Sequence, residues 1–144
     1  MTTKTLTKKA DPHAARDEWL RVVNELADEV SAWAGEEPSW EVSAAPAEVE
    51  DALGVYTVPV VTIQTPDGRL VLEPSHYVPS RKANGSLSGM VEFYAWPTLF
   101  RVRLLYGQPG MKWQVMTESR VPLRQEWNRD NFIRLAKDLA GAEL

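Results

Sequence analysis

Residues 92 to 105, EFYAWPTLFRVRLL, hold the densest concentration of chemistry-bearing side chains in the chain, with three aromatics, a proline and two arginines within ten positions. A Trp-Pro-Thr turn between two short strands lets parity assign the faces. If Pro97 and Thr98 form the turn, Ala95 faces Phe100, Phe93 faces Val102 and Val91 faces Leu104, and this side is wholly apolar. The other side pairs Trp96 with Leu99, Tyr94 with Arg101 and Glu92 with Arg103. One arginine then meets a ring and the other a carboxylate, so each has a local partner. What parity leaves unexplained is why Tyr94, Trp96 and Leu99 gather on the charged face. Cover from within the chain, by a loop or the N-terminal segment, is the first expectation, and a partner the second.

Histidine chemistry rests on His13, in the first turn of a helix, or on His76 in LEPSHYVPSRK. Around His76 lie Glu73, Ser75, Arg81 and Lys82, a set from which a general base with an anion-binding neighbour can be built. A solvated loop histidine accounts for the same residues. Metal ligation needs several converging groups, and two distant histidines among scattered carboxylates show no such spacing, so no metal site is expected. GSLSG, residues 85 to 89, has Leu87 where a nucleophile elbow has serine, and reads as a flexible loop. Pro66-Asp67 lacks the following Glu-x-Lys of a nuclease core. No glycine-rich phosphate loop is present, and no cofactor is expected. The absence of cysteine removes disulfides, thiol nucleophiles and the ligands of a zinc deaminase together.

These residues are positioned by a chain of 144 residues, the usual size of one domain. Residues 1–10 are polar and without periodicity and read as a flexible tail, and 11–144 as a single α+β domain. Asp11-Pro12 supplies an N-cap and a first-turn proline, after which Trp19, Val22, Val23, Leu26, Val30 and Trp33 recur at helical spacing up to Gly35. Trp40 to Val42 reads as a short strand. Pro46 to Leu53 reads as one or two helical turns closed by Gly54. From Val55 the pattern becomes that of strands: VYTVPVVTIQ and RLVLE flank Thr65-Pro66-Asp67-Gly68, where proline presets the turn and glycine accepts a positive φ. Pro59 marks an edge or a bulge. Met90 to Ala95, Leu99 to Tyr106 and Met111 to Glu118 give three further strands. A last amphipathic helix starts near Asn128 to Asp130 and buries Phe132, Leu135, Ala136 and Leu139. The expected fold is a two-layer α+β arrangement: a long N-terminal helix, an antiparallel meander of about five strands and a C-terminal helix, both helices on one sheet face.

The motifs VPVVTIQTPDGRLVLEP, VEFYAWPTLFRVRLL, Trp113-x-Val115-x-Thr117 and WNRDNFIRLAKDLAG resemble an uncharacterised family of small bacterial α+β proteins, over nearly the whole chain after residue 10. The resemblance implies no activity, cofactor or catalytic residue.

Charge bounds the partner. Residues 36 to 60 carry six acids and no base, and residues 61 to 127 carry eight bases against five acids, within a net charge of -4 and a pI near 5.2. That is no footprint for duplex DNA. No apolar run reaches the length of a membrane span and the first residues lack a signal-peptide centre, which points to the cytoplasm. The reading is a non-catalytic protein-interaction or regulatory module, its partner another protein or itself, with Tyr94, Trp96, Leu99, Arg101, Arg103 and Lys112 as contact residues. A single-stranded nucleic-acid binder, with bases stacked on Tyr94 and Trp96, is the alternative that the acidic charge disfavours. A small hydrolase around His76 is third.

Overall fold

The structure, a computed structural model, describes residues 12–77, 89–106, 113–116, 122–123 and 127–142. Helix α1 (Pro12–Gly35) opens on the proline that the sequence places at its first turn. Its buried stripe is Trp19, Val22, Val23, Leu26, Ala27, Val30 and Ala34, the three-and-four spacing of a helix with one dry face. On the wet face Arg21 bridges Glu18 and Glu25.

Seven antiparallel strands follow in sequence order: β1 (Glu41–Asp51), β2 (Gly54–Gln64), β3 (Arg69–Tyr77), β4 (Gly89–Trp96), β5 (Arg101–Tyr106), β6 (Gln114–Met116) and β7 (Pro122–Leu123). Helix α2 (Arg129–Gly141) closes the chain, capped by Asn128, whose side chain accepts from the Asn131 N–H. The meander is thus longer by β1 and β7 than the five strands expected. Most of β1 is the correction to the helical reading of Pro46 to Leu53: the segment is extended and paired with β2 from Glu41↔Gln64 to Asp51↔Gly54. Gly54 does hold a positive φ of 99°, in the turn of a hairpin and not at a helix end. The Asp51 carboxylate fastens that turn by accepting from the Leu53 N–H at 2.8 Å and from the Tyr56 hydroxyl at 2.5 Å.

Both helices lie on one face of the sheet. Val61, Ile63, Leu70, Leu72, Val91, Phe93, Val102, Leu104 and Val115 join the α1 stripe and Phe132, Ile133 and Ala136 of α2 in a single buried cluster, with Phe100 and Leu135 at its margin. Aromatic rings join the layers: Phe132 lies 5.6 Å from Phe93 and 5.7 Å from Trp33, and Trp33 lies 5.7 Å from Trp127. The core also claims Gly89, read from sequence as part of a loop. A Cβ there would come within 2.2 Å of the Trp19 indole, so the ring lies on a floor that only glycine leaves open.

The Thr65–Gly68 turn is held by the Thr65 hydroxyl, which accepts from the Asp67 and Gly68 N–H groups, both at 3.1 Å. Gly68 has no positive φ; its Cβ would meet the Ala140 carbonyl at 3.2 Å. Glycine is needed there for the close passage of α2, which corrects the dihedral reason given by the sequence.

One irregularity shapes the outer end of the sheet. Thr65 and Gly68 exchange backbone hydrogen bonds at 2.9 and 3.3 Å, which makes every second pair outward from them a bonded pair: Ile63↔Leu70, then Val61↔Leu72. The next in that series is Pro59 opposite Pro74. Neither residue has an N–H to give, and the β2–β3 ladder stops at Val61↔Leu72. Pro59 therefore lies on a stretch of β2 that is an edge on its β3 side, in keeping with the sequence reading. Pro46, which faces Pro59 from β1, turns its missing donor to the free edge, where no ladder bond is lost. Beyond this row of three prolines the inward side of β2 changes parity, from Val61 and Ile63 to Tyr56 and Val58. The hairpin curls, and β1 comes within 8 Å of β3 between Cα atoms although β2 separates them in the sheet.

Candidate interaction face

Alternation fixes what the helix-free face of the sheet presents. Register aligns three rows across it: Gln64, Arg69 and Trp96; Thr62, Val71, Tyr94 and Arg101; and Glu73, Glu92, Arg103 and Met116. The β4–β5 pairing is the one that parity requires, Val91↔Leu104 through Tyr94↔Arg101. It is closed at the tip by Ala95 N–H to Phe100 O at 2.9 Å and Leu99 N–H to Ala95 O at 2.8 Å.

At that tip Trp96 is 51% exposed and Leu99 43% exposed. Internal cover, the first expectation for these two residues, is overturned: the loop that joins the strands is too short to fold back over its own face. Leu99 sits at φ 64°, the left-handed region that a bulky residue seldom adopts. Glycine or asparagine would hold the same turn with less strain, so an exposed leucine there is not explained by the hairpin's own stability.

Tyr94 is half-buried, and its hydroxyl donates to Glu73 Oε1 at 2.9 Å. Burial, and then the Glu73 carboxylate as acceptor and negative neighbour, push its pKa up to about 12 against the pull of Arg101. A folded-state value above the ordinary 10 means that this contribution to stability is complete below about pH 10 and is lost as the pH rises toward 12. Arg101 and Arg103 both reach Glu92 Oε2, at 3.4 and 3.6 Å. Glu92 is thus shared by two guanidinium groups, where the sequence pairing gave it only Arg103. Such half-exposed pairs contribute little to stability; they fix the directions of the side chains.

Lys112, the remaining contact residue expected from sequence, lies outside the described residues, as do residues 1–11, Arg81 and Lys82. The His76 side chain is likewise outside them. Its backbone lies in β3, where the register shifts between Pro74 and His76. Among the described residues no three histidine or carboxylate side chains converge as metal ligands, and no helix is long and apolar enough to cross a membrane.

Sequence reasoning missed a second feature of this end of the sheet. Where the β1–β2 hairpin curls away from β3, a groove of about 350 Å³ opens between them, lined by Glu48 and Glu50 of β1, Val58 and Val60 of β2, and Glu73 and Pro74 of β3, with Glu92 beyond. The signal that could have found it is the pair Pro59 and Pro74, each in a strand and each on the same seam.

Compared with known proteins, the chain matches no family model, no curated protein and no solved structure.

Proposed function

We propose that the protein is a non-catalytic interaction module that engages another protein through the open face of its sheet, with Trp96 and Leu99 as the apolar contacts and Tyr94, Arg101 and Arg103 as their polar surround. The observation that supports this reading best is the exposure of Trp96 and Leu99 side by side at the β4–β5 tip. Tryptophan, tyrosine and arginine are the residue types enriched where binding energy concentrates. The strained φ of Leu99 supports the same reading, since a side chain kept at a local cost is kept for something outside the hairpin. A cytoplasmic partner fits the cysteine-free composition.

Single-stranded nucleic acid is the weaker reading. Both arginines rest on Glu92 and Tyr94 is bonded to Glu73, so a phosphate backbone laid across this face meets two carboxylates.

A photo-cross-linking residue at position 96, with the same residue at the exposed Val55 as control, tests the proposal. The expected result is a discrete protein adduct from position 96 alone, competed away by unlabelled wild-type protein but not by the Trp96→Ala variant. Equal labelling from both positions contradicts it.

A further inference from the structure

We infer that the partner presents an extended segment with an apolar residue and a basic residue about four positions apart, the first against Trp96 and Leu99 and the second in the groove between the β1–β2 hairpin and β3. This rests on the interaction reading above and adds the chemistry of what is bound.

The spacing comes from β4. Trp96 and Glu92 lie on the same face of one strand, four residues apart, which at a strand's rise is roughly 13 Å. An extended segment lying along β4 has the same rise. A side chain seated at the tip therefore places its fourth neighbour over Glu92 and the mouth of the groove.

The groove's walls state what that neighbour is. Val49, Val58 and Val60 give an apolar surface, and Glu48, Glu50 and Glu73 give carboxylates. An apolar stem with a cationic head, as in lysine and arginine, matches both. The carboxylates are not gathered as metal ligands among the described residues, which is the arrangement for a long side chain and not for a bare ion. Glu92 is already bridged by Arg101 and Arg103, and Glu73 accepts from Tyr94. Glu48 and Glu50 are exposed and enter no ion pair among the described residues. The backbone adds to the acceptor character: with Pro59 opposite Pro74, the two carbonyls that a continued ladder would have satisfied have no strand N–H across from them. The wall is thus rich in acceptors and poor in donors, the complement of a guanidinium or ammonium group.

The probe is a seven-residue peptide in which threonine alternates with leucine, valine and arginine, the leucine and arginine four apart; its twin has glutamate in place of the arginine. Titration calorimetry at low salt is expected to give the arginine peptide at least tenfold the affinity of its twin, and the margin is expected to shrink as salt is added. In the Glu48→Gln, Glu50→Gln double variant the margin is expected to vanish while binding of the twin is unchanged. Both substitutions are on an exposed edge strand, and an unchanged melting temperature verifies the fold. Equal affinities, no binding of either peptide, or a margin untouched by the double variant overturns the inference, as does self-association in sedimentation that the double variant abolishes. Trp96→Ala separates this inference from the one it rests on. If Trp96→Ala weakens both peptides equally and they never differed, the groove assignment fails and the tip stands. If the arginine margin persists and Trp96→Ala changes nothing, the tip fails.

Discussion

The two hairpins of the sheet are held together by different means. In β4–β5 the inward residues Val91, Phe93, Ala95, Val102 and Leu104 are all buried, so the hairpin carries its own share of the core. In β1–β2 the first strand, EVSAAPAEVED, has no fully buried residue. It is a strand because β2 offers it a ladder, from Glu41↔Gln64 to Asp51↔Gly54, and because its turn is fastened by Asp51. Charges and a proline at the open edge also keep it from recruiting another strand. The difference teaches where freedom lies in this fold. The β4–β5 hairpin is fixed by its inner face and is free to expose Trp96 and Leu99 on the outside. The β1–β2 hairpin is fixed by backbone bonds alone and is free to curl at its prolines and open a groove.

The largest expected effect is on the inner face of β4. Phe93→Ala empties a fully buried, aromatic-sized space against Phe132 and is expected to lose about 3–5 kcal/mol in denaturant unfolding. Val49→Ala on half-buried β1 is the matched substitution, and a loss there as large as that of Phe93→Ala would break the comparison. Next is Gly89→Ala, which drives a methyl group into the Trp19 indole and is expected to lose about 1–3 kcal/mol by the same measurement. Smaller again is the effect of Pro59→Val with Pro74→Val. The pair restores two N–H groups on the β2–β3 seam, and two slowly exchanging amides are expected where the ladder now stops, with a stability change of about 1 kcal/mol. If those amides exchange as fast as open-edge ones, the prolines are not what ends the ladder.

The difference between the hairpins is also a difference in legibility. Strands β2 to β5 announce themselves because β-branched and aromatic residues alternate or run between turn residues, and parity along EFYAWPTLFRVRLL is enough to give the observed register. With the register come the outward positions of Tyr94, Trp96, Arg101 and Arg103. Leu99 has the positive φ that no residue type in its place announces. Strand β1 is illegible for a physical reason: alanine, glutamate and proline have no preference for a strand, and what makes them one is a partner 3 to 23 residues away. Gly54 could not decide the matter, since a helix end and a tight hairpin both want glycine in the left-handed region. Without β1 there is no groove, so Glu48 and Glu50 could not be placed beside Glu73. Gly68 and Gly89 were visible as glycines, but their reasons, the Ala140 carbonyl and the Trp19 ring, are tertiary.

The most direct test of a sheet with one face for stability and the other for contact is Trp96→Ala, with unfolding free energy and affinity for the arginine peptide measured on the same preparation. The expected outcome is a stability change within about 0.5 kcal/mol, as for an exposed side chain, together with at least a tenfold loss of affinity. A stability loss of several kcal/mol with affinity unchanged would mean that Trp96 belongs to the core and that the open face is no contact surface.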